Sequence, residues 1–84
     1  MFFKKRTAVV FYCVIERDDK IRDMHVAYFP DVPSVSTFGF TRYQAIRMAR
    51  KALRGCLRCD KDRGILIPES KFIGNPDCRI EVRV

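Results

Sequence analysis

The chain has 84 residues, of which 48% are hydrophobic and 32% charged, and 17 Lys and Arg against 10 Asp and Glu give a formal net charge of +7. This length supports one small domain, expected over residues 1–84, and the hydrophobic share excludes a disordered tail. The positive charge favours a nucleic acid, an acidic protein or an anionic membrane surface as partner, although a charged surface also serves solubility alone.

The first residues imitate a short signal peptide, because the cationic cluster Lys4–Arg6 precedes an apolar run. Small residues for cleavage are missing, and the charged residues 16–19 follow at once. No run of about 20 apolar residues, which a membrane span needs, is present. We therefore expect a soluble cytoplasmic protein with free thiols at its four cysteines, which are Cys13, Cys56, Cys59 and Cys78.

The first half of the chain predicts three antiparallel strands. Residues 7–16 are almost all β-branched or aromatic, which is typical of a strand covered on both faces. Residues 17–23 are mostly charged and predict an exposed connection. Residues 24–29 predict a second strand, which the prolines of segment 30–33 end. Residues 34–38 then predict a short third strand.

Residues 41–60 predict one long amphipathic helix, with apolar residues on one half of the cylinder and basic residues on the other. Thr41 and Gln44 fit a capping box, in which each side chain bonds the other residue's amide. Gly39 predicts a turn before the helix, and Gly64 predicts its end. The basic half includes Arg47, Arg50, Lys51, Arg54 and Arg58.

After the helix, residues 64–72 are irregular, residues 74–77 predict a turn, and residues 79–84 alternate as a half-exposed last strand does. The predicted fold class is therefore α+β. A small antiparallel-rich sheet in the order β-β-β-α-β carries one long helix on one face.

Catalytic chemistry finds little support in the sequence. A two-metal nuclease needs several converging carboxylates, and no spacing among Glu16, Asp18, Asp19 and Asp31 requires a metal. Asp31 lies between two prolines, which predicts a turn residue that accepts hydrogen bonds from backbone amides. We therefore predict a protein without catalytic residues or cofactors.

The pair Cys56-x-x-Cys59 could supply two of the four ligands of a structural zinc site, and Cys13, Cys78 or His25 would have to supply the others. The helical pattern instead places both cysteines on the core side, where a thiol behaves as a small hydrophobic group. We predict no metal, and we interpret His25 as a packed or rim histidine.

Several segments together resemble HicB-type antitoxins over residues 9–84. They are the run His25–Pro33, then Gly39 and Thr41, then the spaced residues Ala45, Ala49 and Ala52–Leu53, and finally Ile67–Ser70 and Ile80–Val82. The resemblance implies a partial, degenerate RNase H-like fold without catalytic machinery. It also implies binding to a small HicA toxin, an mRNA-cleaving protein whose active site the antitoxin covers, and assembly into a homodimer or a higher homo-oligomer.

Two differences from that family shape the expected site. We expect a single-domain member without a C-terminal DNA-binding segment, and the helix is basic here where family members usually have an acidic one. Since like charges repel across an interface, we expect the toxin to bind elsewhere. The predicted partner-binding residues are Tyr28, Pro30, Asp31, Pro33, Ile67, Pro68 and Ser70.

The alternative function is stand-alone binding of RNA or DNA through the basic half of the helix. Its cations are suited to phosphate contacts, and Tyr43 borders them as a possible stacking side chain. Lys4–Arg6 form a second cationic cluster. An interleaved row of aromatic residues is missing, so no base-specific recognition is predicted.

Overall fold

A computed structural model describes residues 7–84, so the Lys4–Arg6 cluster lies outside the described residues. Within them, the predicted α+β class is confirmed, with antiparallel sheets and one long helix. The partial RNase H-like relation stays a prediction. The elements in chain order are β1 (Ala8–Tyr12), β2 (Val14–Arg17), β3 (His25–Phe29), β4 (Val32–Gly39), α1 (Arg42–Asp62), a short 3-10 turn (Pro76–Cys78) and β5 (Arg79–Arg83).

Cys13 divides the first predicted strand into two strands with different partners. β1 pairs with β5, from Ala8 opposite Arg83 to Tyr12 opposite Arg79, whereas β2 pairs with β3. At the junction the Cys13 amide donates to the Cys78 carbonyl oxygen at 3.0 Å. The predicted burial of both faces is wrong: Phe11 and Cys13 are buried, but residues 10, 12 and 14 are only half-buried.

The second sheet has the strand order β2-β3-β4, and β4 is longer than the predicted third strand. Pairing begins at Val32 opposite Phe29, because Pro30 and Asp31 alone form the turn between the two strands. Pro33 is tolerated because β4 is an edge strand, where one side of the backbone needs no partner.

The predicted ends of the helix are confirmed with one change. The Thr41 hydroxyl accepts from the Gln44 amide at 3.0 Å, but the Gln44 side chain accepts from the Phe40 amide at 2.7 Å instead of the Thr41 amide. At the other end Gly64 has φ +75°, and its amide and that of Ile65 donate to carbonyl oxygens of the last turn. No helix in the described chain is long and apolar enough to cross a membrane.

The core lies between α1 and one face of the sheets, as predicted. One stripe along α1 is completely buried, and its residues are Ala45, Ala49, Leu53 and Leu57. Full burial of each leucine stabilises the fold by about 1.5–3 kcal/mol. A Cβ on Gly39 would lie 2.5 Å from the Ala45 nitrogen. Gly39 is therefore needed for close approach of strand and helix, and not for the turn that the sequence predicted.

Candidate protein-binding surface

Asp31 joins the two segments that the sequence predicted to bind a partner. Its carboxylate oxygen Oδ2 accepts from the amides of Lys71 and Phe72 at 2.9 and 2.8 Å. The predicted role as an acceptor for backbone amides is thus correct, but the donors lie 40 and 41 residues further along the chain. The bonds hold residues 64–75, called here the 64–75 loop, against the β3–β4 turn.

The predicted partner-binding residues differ in how much surface they offer. Pro30, Pro33, Pro68 and Ser70 are exposed, whereas Tyr28, Asp31 and Ile67 are half-buried. Ile67 packs against the core. The Tyr28 hydroxyl donates to the Glu16 carboxylate at 3.1 Å, and this hydrogen bond raises the pKa of Tyr28. Ile67 therefore holds the loop to the core, Tyr28 is bonded to β2, and the four exposed residues are the ones available to a partner.

The most exposed apolar side chains near this surface were not among the predicted partner-binding residues. Leu66 and Ile73 keep 90% and 79% of their surface exposed, and Ile65 keeps 47%. All three belong to the 64–75 loop. Hydrophobic periodicity does not identify these side chains, because an irregular loop has no repeating pattern of buried and exposed positions. The available signal was their apolar character in a segment bounded by glycine and proline, where polar residues are usual.

The basic residues of α1 divide into two groups. Arg47, Arg50, Lys51 and Arg54 are exposed, and they are called here the basic face. Arg58 is half-buried, and its Nε donates to the Arg83 carbonyl oxygen at 3.1 Å. The structure therefore separates Arg58 from the other four residues of the predicted nucleic-acid-binding set.

Three of the four carboxylates considered for a nuclease have structural partners, and the fourth, Asp19, is exposed. Glu16 accepts from the Tyr28 hydroxyl, and Asp18 Oδ1 accepts from the amides of Lys20 and Ile21 at 2.7 and 3.0 Å. Asp31 holds the 64–75 loop. No group of three His, Cys, Asp or Glu residues that could hold a metal ion occurs in residues 7–84.

The cysteines are free, and two of them form a buried pair. Cys78 Sγ accepts from the Arg42 guanidinium at 3.3 Å. Burial, followed by the neighbouring Cys78 thiol, raises the pKa of Cys13 to about 12. The prediction that Cys59 faces the core is wrong, since it is exposed, whereas Cys56 is half-buried. Cys59 lies about 200° around the helix from the buried Leu57, which places it on the opposite side.

Comparison with known proteins identifies the fold. No protein-family model matches the chain, and no curated protein matches it significantly. A solved structure, the N-terminal domain of the antitoxin HicB from Burkholderia pseudomallei, superposes with a TM-score of 0.66 at 20% sequence identity. The match covers 90% of this chain and 95% of that one. The chain therefore has the fold of the N-terminal domain of a HicB antitoxin, as the sequence resemblance predicted.

Proposed function

We propose that this protein is a non-enzymatic antitoxin that binds a small HicA-type toxin in the cytoplasm and covers its mRNA-cleaving site. The fold of a HicB domain supports an antitoxin role. The observation that carries the proposal is the surface itself. The 64–75 loop carries exposed apolar side chains and is held to the β3–β4 turn by Asp31.

The exposed side chains of the loop are suited to a protein partner. Removing Leu66 or Ile73 from water on binding contributes about 1.5–3 kcal/mol for each residue. Protein interfaces commonly have an apolar centre with a polar rim around it, and the area buried there contributes to affinity. The exposed Pro68 and Ser70 lie between the two apolar positions in the chain and are expected to contact the same partner.

The two hydrogen bonds to Asp31 support the proposal energetically. A free loop loses conformational entropy when a partner orders it, and this cost lowers the affinity. Because Asp31 already fixes the amides of Lys71 and Phe72, part of the ordering takes place before binding. The toxin then meets a surface that is largely preformed.

We also propose that the protein forms a homodimer. Among the described strands, β4 pairs only with β3, so one edge of an eight-residue strand is open to a second copy. Sedimentation velocity tests this part separately, and a monomer at high micromolar concentration would contradict it without affecting toxin binding.

Co-expression with the small protein encoded by a neighbouring reading frame tests the main proposal. The expected results are co-purification and suppression of the partner's RNA cleavage. The double variant Leu66→Asp, Ile73→Asp should weaken the complex by at least about 100-fold, because two central apolar contacts are lost. A control is Ile21→Asp, which adds one such carboxylate at a side chain that is 50% exposed beyond the other end of β3.

Two outcomes would contradict the proposal. One is full affinity in the loop double variant, with the control variant equally tight. The other is co-purification without any suppression of RNA cleavage, which would leave a binding protein that is no antitoxin. Circular dichroism of each variant confirms that a lost interaction does not come from unfolding.

A further inference from the structure

We infer a second binding activity: the basic face of α1 binds the phosphate backbone of single-stranded nucleic acid, with Tyr43 as a stacking side chain. This surface lies on a different element from the proposed toxin surface, so it goes beyond the antitoxin proposal and is tested independently of it. The inference is based on the unpaired charge, the spacing of the cations and the exposed aromatic ring.

The four cations of the basic face have no carboxylate partners in the described chain. Ion pairs within residues 7–84 join Arg22 to Asp23 and Lys71 to Glu69, at 3.8 and 3.9 Å, and neither pair involves α1. Like charges three and four residues apart destabilise a helix by a few tenths of a kcal/mol for each pair. A polyanion relieves this repulsion, which makes the face complementary to phosphate groups.

The spacing of the cations fits a nucleic-acid strand. Arg47 and Arg54 are separated by about 10 Å along the helix axis, which corresponds to about three phosphates of a stacked strand. A shallow groove of about 350 Å³ runs between these side chains. Its lining consists of Tyr43, Ile46, Arg47, Arg50, Lys51 and Arg54. Three of the four cations are arginines, whose planar guanidinium groups form paired hydrogen bonds with phosphate.

Tyr43 adds a contact that phosphate binding alone does not need. Its side chain is 71% exposed, and the Arg47 guanidinium carbon lies 5.8 Å from the centre of its ring. An exposed aromatic ring beside cations is the usual platform for an unpaired base, and such stacking tolerates any base sequence. Bases of a duplex are not free to stack in this way, which favours a single strand.

The same face is poorly suited to an acidic protein. Although Arg and Tyr are enriched in protein interfaces, such an interface has a central region from which most charged residues are depleted. On α1 the centre of the exposed half is charged, and the aromatic Tyr43 lies at its first turn. The ligand chemistry that fits is therefore a flexible chain of phosphates with accessible bases.

Fluorescence anisotropy with labelled 12-mers of uridine and of deoxythymidine tests the inference. With four phosphate contacts, the logarithm of the affinity should fall with the logarithm of salt with a slope of about −3. Between 50 and 200 mM salt this corresponds to a loss of about 50-fold. A 12-base-pair duplex should bind more weakly than either single strand.

Matched variants separate this face from bulk charge. Arg50→Glu with Arg54→Glu should lower the affinity at least about tenfold and flatten the salt dependence. Lys20→Glu with Arg22→Glu changes the net charge equally at the β2–β3 connection and should have little effect. Tyr43→Ala should lower affinity about fivefold or more without changing the slope, and Tyr43→Phe should restore it.

Each opposite result would overturn the inference. Equal losses in the two double variants would indicate non-specific attraction to a basic protein. Tighter binding to the duplex would reject the single strand as ligand. Competition by poly-glutamate at the same charge concentration as effectively as by the oligonucleotides would assign the face to an acidic protein.

Discussion

Removal of the Asp31 carboxylate should release the 64–75 loop while leaving the core folded. One oxygen of Asp31 accepts from two backbone amides at 2.9 and 2.8 Å. A hydrogen bond to a charged group contributes about 1.5–3 kcal/mol, and the exposed Lys71 amide regains a bond to water when released. For Asp31→Ala we therefore expect a loss of about 2–4 kcal/mol in the local stability of the loop. Asp31→Asn, which keeps an oxygen but loses its charge, should lose about half of that.

Native-state hydrogen exchange measures this effect directly. A loss of 2–4 kcal/mol speeds exchange of the Lys71 and Phe72 amides by about 30- to 1000-fold, since 1.4 kcal/mol corresponds to a factor of ten. Core amides such as that of Leu53 should change far less. Asp19→Ala removes an exposed carboxylate from the β2–β3 connection and is the control. Unchanged protection of both loop amides in Asp31→Ala would refute the role assigned to Asp31.

Three further predictions concern the two informative glycines and the cysteines. Gly39→Ala should lower the free energy of unfolding by about 1–3 kcal/mol, because the added Cβ would meet the Ala45 backbone. Gly55→Ala should raise it by about 0.5–1 kcal/mol, because the added Cβ would meet nothing within 4 Å. Equal urea midpoints for the two variants would contradict both expectations. Folded Cys13 keeps its proton to about pH 12 and the unfolded thiol to about pH 9. The free energy of unfolding should therefore fall as the pH rises between these values, by up to about 1.4 kcal/mol for each pH unit. In Cys13→Ala the contribution of this thiol is absent, so denaturant titrations of that variant should show a smaller decrease over the same pH range. Iodoacetamide should alkylate exposed Cys59 well before buried Cys13 in the native protein, as mass spectrometry of the peptides would detect.

The helix and the order of the elements were predictable because their signals are local. Thr41 and Gly64 mark the two ends of α1, and the helical period identifies its buried side. The division of the first strand at Cys13 was not predictable, because it depends on which distant strand pairs with each half. The wrong prediction for Cys59 has a geometric cause. The buried stripe of α1 turns around the helix by about 40° with every fourth residue, so that near the end of the helix it has turned away from Cys59.

The candidate site was predictable only in part. The run around Asp31 identified a turn and an amide acceptor, but its donors lie in a loop with no regular pattern. Leu66 and Ile73 are apolar, and in a sequence such residues are usually assigned to the core. Their exposure depends on how the loop crosses the surface, which only the three-dimensional arrangement determines.

The pairing of β1 with β5 has a consequence during synthesis. Arg83 is added to the growing chain 75 residues after its partner Ala8. At bacterial or eukaryotic elongation rates of 5–20 residues each second, the nascent first strand waits about 4–15 s for its neighbour. During that interval its hydrophobic side chains are available to chaperones or to other nascent copies, because the strand that pairs with it has not yet been made.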